Sequence, residues 1–178
     1  MFKKFALIVL SIIFSTFCEI QTRTALYGGL AMATGVGHEE MNPGLDLRFE
    51  AGCKPIPFLS LGGAVDYTWI SSDVQSQYDV RAGFMFWDIA FDPKLCIPIK
   101  DDFNISFGLS PGFCFTRVYA KFEDESYSEV ERSFSTTEGI ALNFRNFTIA
   151  FNFKTAFIEE GNHLHWICFN IGHYWSSR

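Results

Sequence analysis

Period-two alternation is the feature of this sequence that most narrows its fold. In GLDLRFEAGC, residues 44–53, Leu45, Leu47, Phe49, Ala51 and Cys53 share one parity, while Asp46, Arg48 and Glu50 share the other. A strand turns successive side chains to opposite faces, so this segment has one apolar face and one charged face. The alternation recurs at about 25–37, 43–53, 58–71, 78–99, 103–121, 134–145, 147–158 and 164–175. No convincing helical period interrupts it. The pattern predicts an all-β chain of eight antiparallel strands.

The connections alternate in length. HEEMN, SSDVQSQ, EDESYSEVERS and EEGNH follow the first, third, fifth and seventh segments, whereas KPIP, KDD and the pair Arg145–Asn146 follow the others. An up-and-down membrane barrel has this asymmetry, with long loops at one end and tight turns at the other. A soluble Greek key has no reason to sort its loops by end.

Side-chain size points the same way. In residues 103–117, Phe103, Ile105, Phe107, Leu109, Pro111, Phe113 and Phe115 oppose Asn104, Ser106, Gly108, Ser110, Gly112, Cys114 and Thr116. A closed barrel is crowded inside and convex outside, so large residues fit outward and small ones inward. A soluble ligand-binding barrel wants the reverse. The expectation is a transmembrane barrel whose lipid-facing residues include Leu45, Leu47, Phe49, Phe107, Leu109, Phe113, Phe147, Ile149 and Phe151. The lumen is then expected to hold Asp46, Arg48, Glu50, Asp66, Asp88, Asp92, Lys94, Glu138, Arg145 and Lys154. Buried charges must be paired, so this set reads as a polar plug centred on Arg48, standing between Asp46 and Asp66. Residues 78–99 are too long for one spanning strand, and their parity slips. A bulge near Trp87–Asp88 would return Val80, Ala82, Phe84 and Phe86 to the outer face. Pro93 and Pro111 each remove a ladder donor within this pair of strands.

The N-terminus, MFKKFALIVLSIIFSTFC, places Lys3 and Lys4 before an apolar run from Phe5 to Phe17. That is the layout of an export signal over residues 1–18, with cleavage between 18 and 24. The barrel then spans 25–175, and 176–178 form a short overhang. No later run reaches the roughly 20 apolar residues of a spanning helix. The formal net charge is −6, and removing the two signal lysines makes it more negative. Such a balance excludes nucleic acid as a partner. Cys53, Cys96, Cys114 and Cys168 have neither zinc nor CxxC spacing and read as small hydrophobes.

The C-terminal CFNIGHYW, with Phe169, Ile171 and Trp175 alternating toward a final aromatic, resembles the closing strand of small bacterial outer-membrane β-barrels of the OmpA/OmpX-like, porin-like kind. The family's aromatic usually ends the chain, whereas SSR follows here. The resemblance implies residence in the outer membrane, in contact with its lipid, and implies little about activity.

No catalytic signature is present. HEEM at His38 lacks the second histidine of the zinc-protease motif, and no nucleophile elbow or phosphate-binding glycine loop occurs. No enzyme activity and no cofactor are expected. Barrel closure brings His38, Glu39 and Glu40 beside Glu159, Glu160 and His163, an acid and imidazole set suited to a divalent metal at the rim. The functional expectation is a structural or surface-interaction barrel that meets extracellular ligands through loops 38–42, 71–77, 122–133 and 159–163. The alternatives are a lipid-modifying hydrolase and a narrow ion channel.

Overall fold

The computed structural model describes residues 21–34, 41–75, 79–122, 125–158 and 163–176. They form nine antiparallel strands: β1 (Gln21–Thr34), β2 (Gly44–Ile56), β3 (Leu59–Gln75), β4 (Asp79–Phe91), β5 (Lys94–Lys100), β6 (Phe103–Phe122), β7 (Glu125–Phe144), β8 (Phe147–Phe157) and β9 (His163–Ser176). β1 pairs with both β2 and β9, and β2 pairs with β3, so the sheet closes on itself. The export-signal residues and the rim residues His38, Glu39, Glu40, Glu159 and Glu160 lie outside the described residues.

Nine strands make eight staves. On β3, Gly63 faces Phe91 of β4 and Ser60 faces Lys94 of β5, which is one continuous register. On β6, Gly112 faces Ala90 and Gly108 faces Lys94, again without a shift. β4 and β5 are therefore one stave, interrupted only at Asp92–Pro93. The bulge expected near Trp87–Asp88 does not form. Inside and outside keep alternating through it, with Phe86, Asp88 and Ala90 buried and Trp87, Ile89 and Phe91 exposed. Phe84 and Phe86 accordingly point away from the outer face.

The two prolines explain the interruption. The Asp92 amide donates to the Gly62 carbonyl of β3 at 2.8 Å, so the odd-numbered amides of this stave face β6. Partners in an antiparallel narrow pair point at each other. Pro93 opposes Leu109 and Pro111 opposes Phe91, so both missing N–H groups fall on the same seam at adjacent pairs. Side chains bridge the gap instead: Ser110 Oγ donates to Asp92 Oδ1 at 2.7 Å.

At one end the staves are joined by two-residue turns at 57–58, 101–102 and 145–146. Arg145 has a φ of 52° there, the conformation the first residue of a tight II′-type hairpin requires. Both described termini lie at this end, where Arg23 faces Ser176.

The opposite end is uneven. β8 stops opposite Phe134 of β7, yet β7 and β6 continue paired up to Phe122 and Glu125. β3 and β4 also continue, to Gln75 and Asp79. One wall, β3-β4-β6-β7, therefore stands above the rest. Residues 71–75 and 125–133, expected as loops, are strand. Ser126 to Val130 are exposed on both faces, and a strand wet on both faces needs no apolar alternation, so its sequence reads as a polar loop.

Around the barrel the outer face is apolar. Leu45 (54% exposed), Leu47 (53%), Phe49, Phe107, Leu109, Phe113 (68%), Phe147 and Phe151 are all exposed, and Ile149 is half-buried. The buried positions carry charge and hydroxyls. This inversion of the soluble-protein pattern is what hydrocarbon surroundings demand.

Candidate functional site

The lumen is built in three layers. Nearest the turns, Asn143 Nδ2 donates to Asn104 Oδ1 at 2.9 Å, and Thr148 Oγ1 donates to Asn143 Oδ1 at 2.8 Å. At the other end Ile70, Phe86, Cys114, Trp166 and Cys168 form an apolar cap, with the Phe86 and Trp166 rings stacked at 4.1 Å. The sequence reading of a wholly polar lumen missed this cap, because Phe86 was assigned to the outside.

The charged layer lies between them. β2 delivers Asp46, Arg48 and Glu50 by the parity that sends Leu45, Leu47 and Phe49 outward. Arg48 is 3% exposed and uses three nitrogens on three carboxylates. Its Nε reaches Glu50 Oε1 at 2.7 Å, Nη1 reaches Asp66 Oδ2 at 2.8 Å and Nη2 reaches Asp92 Oδ1 at 2.9 Å. Lys154 spans from β8 to Asp46 Oδ1 at 2.8 Å and Asp66 Oδ1 at 2.9 Å. Lys154, not Arg48, is thus the cation between Asp46 and Asp66. Asn170 Nδ2 and the Thr68 hydroxyl also donate to Asp46. Lys94 pairs with Glu50 and with Asp92.

Two contributors on β1 escaped the sequence reading, as did Thr68 and Asn170. Arg23 Nη2 binds Glu50 Oε2 at 2.6 Å, and the Tyr27 hydroxyl donates to the same oxygen at 2.9 Å. Arg23 lies before position 25, where the first strand was expected to begin; β1 starts at Gln21. Its inward parity with Ala25 and Tyr27 was the available signal.

Two expected lumen residues do not belong there. Arg145 occupies the exposed turn and pairs with Asp102 at 3.3 Å. Glu138 has the outward parity of β7, since Ser135, Thr137 and Ala141 point in, and it is exposed. It faces Leu109, the middle of the apolar outer run Phe103–Phe115. A carboxylate on that surface opposes burial in lipid. Glu138→Leu is expected to stabilise the bilayer-folded barrel by about 1–2 kcal/mol, read as a higher urea midpoint. An unchanged midpoint would place this row outside the hydrocarbon.

Of the rim metal set only His163 is described, exposed and edge-on to Phe157 at 5.0 Å. The hydroxyl–imidazole contact seen, Thr155 Oγ1 with His165 Nδ1 at 3.0 Å, involves outward-parity positions and no carboxylate. Cys53, Cys96, Cys114 and Cys168 are free.

No protein-family model matches the chain. No curated protein sequence matches it either. Solved structures do. Ail, the attachment invasion locus protein of Yersinia pestis, superposes with a TM-score of 0.59 at 12% identity, covering 89% of this chain and 100% of that one. Neisserial surface protein A gives 0.51 at 13% identity, covering 86% and 95%. The N-terminal β-barrel domain of Pseudomonas aeruginosa OprF gives 0.51 at 10%, covering 87% and 97%. The chain has the fold of the small eight-stranded outer-membrane β-barrels.

Proposed function

We propose that the chain is an integral outer-membrane protein, exported by residues 1–18, that acts as a closed surface-interaction barrel. Its contact face is the raised wall rather than its lumen. The apolar outer belt supports membrane residence, and the ion-paired layer supports a plug. The cavity lined by Tyr27, Arg48, Glu50, Asp92 and Lys94 measures about 10 Å³, at the lower limit of what one water needs. That favours a plug over an ion path.

The observation that carries the contact role is the free edge of β7. By the register above, the even-numbered amides of β7 point away from β6. Beyond Phe134 no described strand receives them. Ser126, Ser128, Val130 and Arg132 therefore present edge donors, beside exposed Tyr127 and Val130 and with Glu129 and Glu131 along the strand. An unpaired edge recruits an extended chain through main-chain hydrogen bonds, and carboxylates favour a partner strand carrying lysine or arginine. Ail, whose name records attachment, gives the fold a precedent for this class of role.

The test uses the full chain in lipid nanodiscs with a synthetic peptide of alternating lysine and valine. Amide exchange at 126, 128, 130 and 132 should be fast in the free barrel and slow with the peptide. Val130→Pro, which deletes an edge donor without touching the β6 ladder, should abolish the protection. Edge amides already as protected as those of 137–143 would overturn the reading.

A further inference from the structure

The buried charges do not balance. Among the described residues with less than 9% exposure, five carboxylates (Asp46, Glu50, Asp66, Asp88 and Asp92) face four cations (Arg23, Arg48, Lys94 and Lys154). Every one of these cations is engaged by Asp46, Glu50, Asp66 or Asp92. Asp88, 2% exposed, is the carboxylate left over. It stands directly across from Asp66 on β3, so its nearest ionised neighbour repels it. Cys114 flanks it on β6, Lys154 and Arg48 act on it through space, and the Ser135 hydroxyl approaches it from β7.

A second observation lies on the other side of Asp88. Asp88 Oδ1 has no hydrogen-bond partner, and neither do Ser133 Oγ, Ser135 Oγ and Thr137 Oγ1. These three hydroxyls form one inward row on β7, each at least nine-tenths buried. A Cβ placed on Gly112 would stand 2.7 Å from Asp88 Oδ1, and the β7 partner of Gly112 is Ser135. Asp88 therefore leans across a residue without a side chain toward the middle of the hydroxyl row. Leaving a buried carboxylate oxygen and three hydroxyls without full partners is costly in a lumen.

The donors around this point are all oxygen, which suits a hard cation. The deficit is one charge, so a divalent ion would replace one excess charge with another. We propose that Asp88 and Ser135, flanked by Ser133 and Thr137, hold one alkali-metal ion inside the barrel. The apolar cap lies on one side of the site and the charged layer on the other, so the ion is enclosed as the barrel closes. Folding and ion uptake are then linked.

The experiment folds the full chain in detergent micelles at fixed pH and ionic strength. Sodium or potassium chloride is exchanged for N-methylglucamine chloride, and urea unfolding is followed. Above the ion's dissociation constant, the folding equilibrium constant should rise about tenfold per tenfold rise in the alkali ion. Asp88→Asn should remove that dependence, while Glu138→Gln on the outer face should keep it. Should Asp88→Asn fail to fold, retention of radiolabelled sodium by the wild-type barrel after gel filtration decides instead, with one ion per chain expected. Equal midpoints in all three salts with no retained sodium, or a midpoint that follows acid alone, would overturn the proposal.

Discussion

Arg48→Ala is expected to cost the barrel about 3–5 kcal/mol, the range for breaking a buried ion pair by removing one partner. The guanidinium is the junction of Glu50, Asp66 and Asp92. Its loss leaves five buried carboxylates with three cations. Neither Lys94 nor Lys154 can move to compensate, because each already bridges two acids. Arg48→Lys should recover only part of the loss, since one ammonium cannot reproduce a fork aimed at three partners. Adding Asp66→Asn to Arg48→Ala should cost less than the sum of the two single changes, because the second removes a charge that the first stranded. Urea unfolding of the refolded variants measures all three. Arg48→Ala with a wild-type midpoint would mean that the layer is wet.

The second large effect lies on the opposite face of the same strand, one residue away. Leu47 is 53% exposed, and on a soluble protein changing such a residue to arginine stays within roughly ±0.5 kcal/mol. In a bilayer the same change should cost about 2–4 kcal/mol if position 47 lies near the midplane. Unfolding from lipid vesicles separates the two situations. A neutral Leu47→Arg variant would remove the argument for lipid at this surface.

β2 was readable because its two faces differ in both size and charge, so parity alone assigns Asp46, Arg48 and Glu50 inward. Where that contrast fades, so does the reading. Along β7 the inward set is Ser135, Thr137, Ala141 and Asn143, small residues that do not define a face, and Glu138 was drawn inward by its charge. Phe84 and Phe86 were sent outward for their size. What keeps Phe86 inside is a stacking partner on β9, Trp166, a contact no local pattern can register. The unpaired state of Asp88 was equally hidden. It follows from a census of partners drawn from six strands, not from any spacing along one.

The lapse in the ladder at Asp92–Pro93 divides one seam into an upper and a lower length that share a single register. Over that interval two backbone donors are missing from the seam with β6, while the Asp92 amide still holds β3. Position there is fixed from within, by Asp92 pinned to Ser110 on the neighbouring stave and to Arg48 across the lumen. The ion network is in this sense a rivet as well as a plug. Loosening it leaves the interrupted stretch of seam held only by the ladder on either side.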